Sequence, residues 1–362
     1  MVCNGAMDIT FVLPGEARCG GVRVTVCMAN QLLRRGHRVR IAILRPNLLD
    51  RARQHMRLMW LRRYSQDVAG WVHGFRGTLE RFRELDDLAF NSGEIVVAVG
   101  IFTIRHVYNL KQDVLKVRYN HGDMLDIMTD SELEAWKLPM PTITVSSTIT
   151  PDLERISGQK VLAVVPNGVD SEEYWPIATM KRDGIGSIFS SSLAKAPDLL
   201  MRVFRRLRDE FPDVPRFAFG AEKCPTELAA TSYWLYPSVE QAREIYSRAK
   251  IWLVPSLTEG FPAPVLEAMA CGCVVISTDS YGGRELIHDG ENGLLVPRRD
   301  AEGFIRAIAR ILRDRELETN LAMAGMNTAA EFSWERAADK MEAFLEQLSP
   351  RSPMTIGART QR

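Results

Sequence analysis

Several features that define common classes of protein are absent from this sequence. No apolar run approaches the roughly 18 residues that a membrane-spanning helix requires. The N-terminus lacks the basic region and long apolar stretch of a signal peptide. The formal net charge is only +1, whereas a general nucleic-acid binder usually shows a basic excess. These absences predict a soluble cytoplasmic protein that does not bind nucleic acid.

Cysteine is also scarce, and two common cofactor patterns are missing. The 6 cysteines are scattered through 362 residues, without a C-x-x-C pair or any metal-ligand spacing. This usage predicts reduced thiols and no metal centre. The G-x-G-x-x-G pattern of dinucleotide binders does not occur, which counts against an NAD-dependent enzyme.

What the sequence does contain is a repeated alternation of short apolar runs and helical patterns. With 362 residues the chain is too long for one ordinary core. The alternation predicts an α/β fold of two Rossmann-like domains that face each other across a cleft. The predicted parts are a first domain over 1–170, a linker over 171–184, a second domain over 185–331, a final helix over 332–348 and a disordered tail over 349–362.

One segment, IWLVPSLTEGFPAPVLE over 251–267, combines a buried strand, a breaker-rich loop and the first turn of a helix. Two carboxylates, Glu259 and Glu267, bracket its loop eight residues apart. Carboxylates accept hydrogen bonds from sugar hydroxyls and a helix N-terminus favours phosphate, so the segment suits a sugar nucleotide. The alternative is structural, since many such units carry one Glu in the loop and another in the first helical turn.

Three further positions lie where open α/β sheets place their sites. Gly20 and Gly21 precede the first helix, His121 follows a predicted strand, and Lys195 precedes a helix where a cation can neutralise a diphosphate. Each also has a structural interpretation, as a tight turn, a core histidine and a solvated lysine. The basic stretch 51–63 has two interpretations as well: a helix with one packed face, or contact with an anionic membrane surface or acceptor.

Taken together, four motifs resemble glycosyltransferase family four, the retaining enzymes of the GT-B architecture. They are GGVRVTVCMANQLLRRGHRV, VVPNGVD, EGFPAPVLEAMACGCVVIST and GGRELIHDGENGLLVPRRD, so the resemblance spans nearly the whole chain. It implies that the final helix, which begins near Phe332-Ser333-Trp334, packs back on the first domain. It also implies a donor nucleotide-sugar held mainly by the second domain.

The resemblance implies a role for each matching position. Glu267 would bind the ribose hydroxyls, Glu259 would hold the transferred sugar and Lys195 would face the diphosphate. His121 would approach the donor sugar. The catalytic positions are therefore Glu259, His121 and Lys195, and the donor-binding positions are Glu267, Gly260, Phe261, Pro262, Tyr236, Ser238, Gly20 and Gly21.

The chain departs from the family pattern at Ser190, where an arginine usually stands five residues before the lysine. A serine cannot supply the charged fork that arginine gives a phosphate. Diphosphate binding must then depend on Lys195, helix N-termini or another arginine such as Arg18 or Arg23.

The resulting hypothesis is sugar transfer from a nucleotide diphosphate-sugar to an acceptor hydroxyl, with retention and without a cofactor. No Asp-x-Asp occurs, so a metal-bridged diphosphate is not indicated. The acceptor is a glycan, a lipid-linked molecule or a small molecule, as in polysaccharide biosynthesis, and the enzyme is cytoplasmic or peripheral at the inner membrane face. Two alternatives stay open: a sugar-nucleotide epimerase of the same fold, and a non-catalytic nucleotide-sugar-binding partner of another transferase.

Overall fold

The computed structural model describes residues 5–16, 20–45, 71–122 and 129–349. The basic stretch 51–63, Arg18 and the predicted tail beyond Ser349 lie outside these residues. What the sequence predicts of them therefore stays a prediction.

The described residues form two parallel β-sheets that follow one another along the chain. The strands of the first sheet are β1 (Asp8–Leu13), β2 (Arg38–Leu44), β3 (Thr78–Phe82), β4 (Glu94–Val99), β5 (Val114–Asn120), β6 (Thr142–Thr144) and β7 (Val161–Val164). The strands of the second sheet are β8 (Gly184–Phe189), β9 (Arg216–Gly220), β10 (Ser232–Leu235), β11 (Ala249–Val254), β12 (Val274–Thr278) and β13 (Leu294–Val296). The predicted α/β architecture of two parallel-sheet domains is confirmed.

Helices connect these strands and cover both sheets. Those that accompany the first sheet are α1 (Gly20–Arg34), α2 (Ile101–Asn109), α3 (Asp130–Trp136) and α4 (Thr150–Ser157). Those that accompany or follow the second are α5 (Pro197–Glu210), α6 (Val239–Arg248), α7 (Ala263–Ala270), α8 (Tyr281–Leu286), α9 (Ala301–Arg313), α10 (Arg315–Glu331) and α11 (Trp334–Leu348). None of the described helices is long and apolar enough to cross a membrane.

The strand order fixes where a site can form. It runs β3-β2-β1-β4-β5-β6-β7 in the first sheet and β10-β9-β8-β11-β12-β13 in the second. The direction of winding therefore reverses between β1 and β4, and again between β8 and β11. At such a reversal the loops after the two central strands diverge and leave a crevice at the carboxyl ends. Gly20 begins the helix that follows β1, and the loops after β8 and β11 carry Lys195 and Glu259.

The observed elements differ from the predicted ones mainly at the sheet edges. The edge strands β3 (TLERF) and β10 (SYWL) are half-exposed, and no continuous apolar run marks them in the sequence. Strand β6 ends at Thr144, and helix α6 ends at Arg248, immediately before β11 begins at Ala249. Residues 281–285 lie in α8, which Ser280 caps by accepting from the Gly283 N–H at 3.1 Å.

The last helix, α11, lies against α1 of the first sheet. Arg35 contacts Asp339 and Glu342 at 2.7 Å each, and His37 Nε2 lies 3.0 Å from Glu342. The turn at Gly168 approaches the start of α11 so closely that a Cβ there would lie 2.4 Å from the Trp334 nitrogen. Only glycine permits this approach. Residues 165–183 connect the two sheets, and 332–348 return to the first.

Gly186 in β8 provides a test of the core of the second sheet. Its neighbour across the ladder is the fully buried Trp252, and a Cβ on Gly186 would lie 2.1 Å from the indole ring. We expect Gly186→Ala to lower the free energy of unfolding by about 1–3 kcal/mol through overpacking. Urea denaturation measures the change. The control is Gly15→Ala, where nothing lies within 4 Å of the added carbon, and equal stability of the two variants would contradict the packing argument.

Candidate functional site

The segment that joins β11 to α7 carries both candidate carboxylates. Pro262 is the N-cap of α7 and Pro264 occupies its first turn. Pro264 has no N–H, and the Val265 N–H donates to the Pro262 carbonyl at 2.9 Å. The helix N-terminus therefore offers an anion fewer amide groups than an ordinary first turn does. Side-chain cations must therefore supply more of the positive charge that an anion would need at this site.

Glu267 lies one turn into α7 and is only 5% exposed. Its Oε2 accepts a hydrogen bond from the Tyr246 hydroxyl at 2.9 Å. Its Oε1 accepts from Arg23 Nη1, which reaches it from α1 of the other domain. Burial raises the pKa of Tyr246 well above its ordinary value, and the charge of Glu267 is the second largest cause. The phenol therefore stays protonated and remains a donor to the carboxylate.

Arg23 occupies a slot lined by polar and aromatic groups of both domains. Its Nη2 donates to the Tyr174 hydroxyl at 3.0 Å and lies 3.7 Å from Glu173. The guanidinium carbon lies 4.9 Å from the centre of the Trp71 ring, a distance at which cation–π attraction operates. Burial is the largest single influence and acts to lower the pKa of Arg23, but the Glu267 carboxylate and the neighbouring Tyr174 and Cys27 together raise it by more, so the net shift is upward. Arg23 is thus a permanent cation at this position.

Glu259 forms a second pair with a cation, nearer the mouth of the loop. Lys195 Nζ contacts Glu259 Oε1, and the Ser256 hydroxyl donates to the same oxygen at 2.7 Å. The lysine side chain is 42% exposed and the glutamate 13%. Lys195 closes the turn Leu193–Lys195 just before α5, so the loop after β8 and the loop after β11 meet here.

Ser190 also lies in the loop after β8, and its hydroxyl faces a carboxylate. Ser190 Oγ donates to Glu222 Oε1 at 3.3 Å, and the Ser191 N–H donates to the same oxygen at 3.1 Å. The position where the resemblance would place an arginine thus has a neutral hydroxyl beside a negative charge. Any phosphate nearby must be held by other groups.

His121 and the Gly260 loop meet across the two domains. A Cβ on Gly260 would lie 2.5 Å from the Gly122 Cα and 2.8 Å from the His121 carbonyl oxygen, so only glycine fits. The His121 ring packs 4.1 Å from the Tyr119 ring, and neither buried ring nitrogen has a hydrogen-bond partner within the described ranges. Burial lowers the pKa of His121 to about 3, so the ring is neutral at physiological pH.

The remaining candidate residues lie at the ends of neighbouring elements. Gly20 and Gly21 are the first residues of α1, with nothing within 4 Å of a Cβ at either. Tyr236 adopts a left-handed conformation, φ 52°, at the end of β10. Ser238 caps α6 by accepting from the Gln241 N–H at 3.2 Å. The carbonyl of Phe261 accepts from Asn167 Nδ2 at 3.2 Å.

One contact that the sequence did not single out fixes the second domain against the first. Glu285 of α8 accepts from the Ser146 hydroxyl at 2.9 Å, the Ser147 N–H at 3.2 Å and the Thr148 N–H at 3.1 Å. Glu285 lies in the GGREL motif, but the sequence gives no sign that its partners follow β6, more than a hundred residues earlier. The roles of Tyr246 and Tyr174 were also not predicted, because nothing in the sequence shows that their hydroxyls contact Glu267 and Arg23. Among the described residues no cluster of three or more His, Cys, Asp or Glu could hold a metal ion.

A family model described as Glycosyl transferases group 1 matches residues 185–314, which contain Lys195, Glu259 and Glu267. A D-inositol 3-phosphate glycosyltransferase from Geodermatophilus obscurus is 32% identical over 209 residues, 50% of this chain and 46% of that one. The lipopolysaccharide core biosynthesis glycosyltransferase LpsE of Rhizobium meliloti is 38% identical over 111 residues, 30% of this chain and 32% of that one. The chain spans about half the length of the first curated relatives that it matches.

Solved structures of similar fold match almost the whole chain. Sucrose-phosphate synthase from Thermosynechococcus elongatus superposes with a TM-score of 0.74 and 16% identity, covering 94% of this chain and 99% of that one. HepE from Anabaena, in complex with UDP-glucose, gives a TM-score of 0.74 and 16% identity over 94% of this chain and 100% of that one. Identities this low establish the fold alone. The predicted GT-B architecture is confirmed.

The buried ring of His121 makes the stability of the protein depend on pH. In the unfolded chain a histidine takes up a proton near 6.5, but folded His121 does so only near pH 3. Between these values the unfolded state binds more protons, so acidification destabilises the fold and raising the pH above about 6.5 restores the stability. From pH 7.5 to pH 5 we expect wild type to lose on the order of 2 kcal/mol more than His121→Gln. Chemical denaturation at each pH gives the comparison, and parallel pH profiles for the two proteins would disprove it.

Proposed function

We propose that this protein is a retaining glycosyltransferase of family four, which moves a sugar from a nucleotide diphosphate-sugar to an acceptor hydroxyl. The observation that carries the proposal is the pair of carboxylates on one loop-and-helix segment, each held by a cation at the switch point of the second sheet. Neutral hydroxyls of ribose and sugar need acceptors, and the diphosphate between them needs cations. The segment offers the two acceptors, and Lys195 and Arg23 bring one cation to each of them.

In this proposal Glu267 accepts from the ribose hydroxyls. It is buried, its orientation is fixed by the Tyr246 hydroxyl, and it lies on a helix that packs in the core. Such a pre-positioned carboxylate loses little entropy on binding. Glu259 accepts hydrogen bonds from hydroxyls of the transferred sugar. The backbone N–H groups of Gly260 and Phe261 also hold this sugar. Lys195 then faces the diphosphate.

The proposed chemistry is a displacement on one face of the sugar. The bond between the anomeric carbon and the phosphate oxygen breaks, and its electron pair stays on that oxygen. The acceptor oxygen forms its bond to the anomeric carbon on the same face and gives its proton to the leaving phosphate. Lys195 stabilises the charge that develops on this phosphate. A neutral His121 can hydrogen-bond but cannot serve as a general acid near pH 7.

Glu259 as a covalent nucleophile is the runner-up mechanism. It would require the carboxylate to attack the anomeric carbon and the acceptor to attack the resulting glycosyl–enzyme bond. Lys195 and Ser256 both donate to Glu259 Oε1, and hydrogen bonds of this kind reduce the nucleophilicity of a carboxylate. The same-face displacement needs no such attack and is therefore preferred.

For substrates we propose a nucleotide diphosphate donor without assigning its base. The HepE neighbour binds UDP-glucose, and the curated relatives are glycosyltransferases of D-inositol 3-phosphate and of lipopolysaccharide core. A glycan, lipid-linked or small-molecule acceptor fits this range. The proposal includes no metal or other cofactor, and it places the enzyme in the cytoplasm or peripherally at the inner face of the membrane.

The experiment is a thermal-shift screen of the purified protein against nucleotide sugars that differ in base and sugar. A donor that binds the folded state raises the unfolding temperature, and the rise increases with the logarithm of its concentration relative to its Kd. Release of nucleoside diphosphate only in the presence of acceptor then separates transfer from epimerisation. Binding without turnover on any acceptor would favour a non-catalytic partner of another transferase, an alternative motivated by Ser190 and Glu222.

Glu267→Gln tests the ribose assignment directly. The amide preserves shape but removes the charged acceptor, so we expect the donor KM to rise by about tenfold or more, since hydrogen bonds to charged groups contribute about 1.5–3 kcal/mol. Steady-state kinetics with the donor identified in the screen provide the measurement. Glu244→Gln is the matched control, because Glu244 is exposed on the same helix as Tyr246. A Glu267→Gln enzyme with wild-type turnover and donor KM would remove Glu267 from the ribose site.

A further inference from the structure

Arg23 and Glu267 form a contact that a donor has to change. Glu267 is only 5% exposed, and its two oxygens accept from Arg23 and Tyr246. A ribose hydroxyl that donates to Oε1 therefore competes with a guanidinium that already binds there. Tyr246 contacts the opposite oxygen and can remain in place. The structure thus singles out Arg23 as the group that a ribose displaces.

Arg23 cannot simply be released into the cleft without a new partner. It lies in a largely enclosed slot between Trp71 and Tyr174, with side-chain exposure of 23%. A cation that loses its partner in such surroundings bears a large desolvation penalty. Glu173, 3.7 Å away, is a more exposed and more distant carboxylate. Only an arriving anion can compensate fully for the loss of Glu267.

A diphosphate linked to the ribose supplies this anion. Arg23 lies in the first turn of α1, two residues after Gly21, near the carboxyl end of β1 where the first sheet reverses its winding. Beside Lys195, the loop after β8 offers the neutral Ser190 hydroxyl, which faces Glu222 of the loop after β9, and no second cation. The first turn of α7 also has few amide groups to offer. A second cation from the opposite domain would therefore complete the charge balance.

We propose that Arg23 is a donor-binding residue that exchanges partners: the ribose hydroxyls take over Glu267, and the released guanidinium binds the diphosphate. This inference depends on the proposed function, because it takes Glu267 as the ribose acceptor. The exchange couples recognition of the ribose to recognition of the diphosphate. The ribose alone would free Arg23 without giving it a partner, and the diphosphate alone would have to break the Arg23–Glu267 pair. It also draws the first domain into donor binding through a single side chain.

Inorganic pyrophosphate provides a test that does not require knowledge of the base or sugar. In wild type, pyrophosphate can bind Arg23 only by breaking the Arg23–Glu267 pair, and no ribose hydroxyl is present to bind Glu267 in its place. Glu267→Gln releases Arg23 beforehand, so we expect it to bind pyrophosphate about tenfold more tightly than wild type, measured by calorimetry at fixed ionic strength. The same variant binds a nucleoside diphosphate more weakly. Opposite signs for the two ligands are the signature of exchange.

Two control variants separate exchange from a general change of charge. Glu173→Gln removes the same charge at 3.7 Å from Arg23 but leaves the Arg23–Glu267 pair intact, so its pyrophosphate affinity should change by less than about twofold. Glu267→Gln combined with Arg23→Gln should lose the whole gain. A gain that persists in the double variant, or that Glu173→Gln reproduces, overturns the proposal.

Arg23→Gln alone supplies an independent test that does not alter the buried glutamate. We expect it to weaken binding of UDP, GDP or ADP, whichever wild type binds, by about tenfold, and to leave or improve binding of the matching nucleoside. Equal losses for nucleoside and nucleoside diphosphate would assign Arg23 to the ribose or to structure, and the exchange would be wrong. If wild type binds pyrophosphate but no nucleotide and no nucleotide sugar, the proposed function fails, whereas the sign of the Glu267→Gln effect on pyrophosphate still tests the exchange.

Discussion

The ion pair between Arg23 and Glu267 is the interaction on which the arrangement of the two domains depends. Either charge alone would be costly to bury, because the slot between Trp71, Tyr174 and Tyr246 removes most of the water from both. The pair exists only when α1 and α7 meet. The relative position of the domains is therefore tied to the neutralisation of one carboxylate, and any ligand of that carboxylate acts on the interface as well as on the site.

Other contacts hold the domains in the geometry that this pair requires. Glu285 is anchored by hydrogen bonds from the segment after β6, and the Tyr281 hydroxyl donates to Asp152 at 2.7 Å. On the opposite side α11 returns to α1. Close backbone approaches at Gly168 and Gly260 leave no room for a side chain. One apolar cluster of buried residues also runs through both domains, so the polar contacts are not alone in holding them together.

Local patterns in the sequence predicted the parts of the site that lie within one strand–loop–helix unit. The positions of Glu259 and Glu267 on the loop and helix after β11 follow from an apolar run, a breaker-rich loop and two prolines. The partner of Glu267 could not be predicted in this way, since Arg23 is 244 residues away in the chain. Likewise nothing in the sequence around His121 indicates that its ring packs on Tyr119 with both nitrogens buried. Edge strands β3 and β10 were missed because their exposed faces interrupt the apolar runs.

Charge balance connects these observations to the chemistry. The two candidate carboxylates are each matched by one cation, Lys195 or Arg23, while Glu222 beside Ser190 adds a further negative charge at the loop after β8. The cations that a diphosphate would meet are therefore already paired with carboxylates. Under the proposed function, hydroxyl groups must first bind these carboxylates before the cations can bind the diphosphate. A ligand that combines hydroxyls with a diphosphate can make both changes at once, whereas hydroxyls alone or phosphates alone make one and leave a charge without a partner. Under the proposed function, this charge balance would make the site selective for the combination of groups that a nucleotide sugar carries.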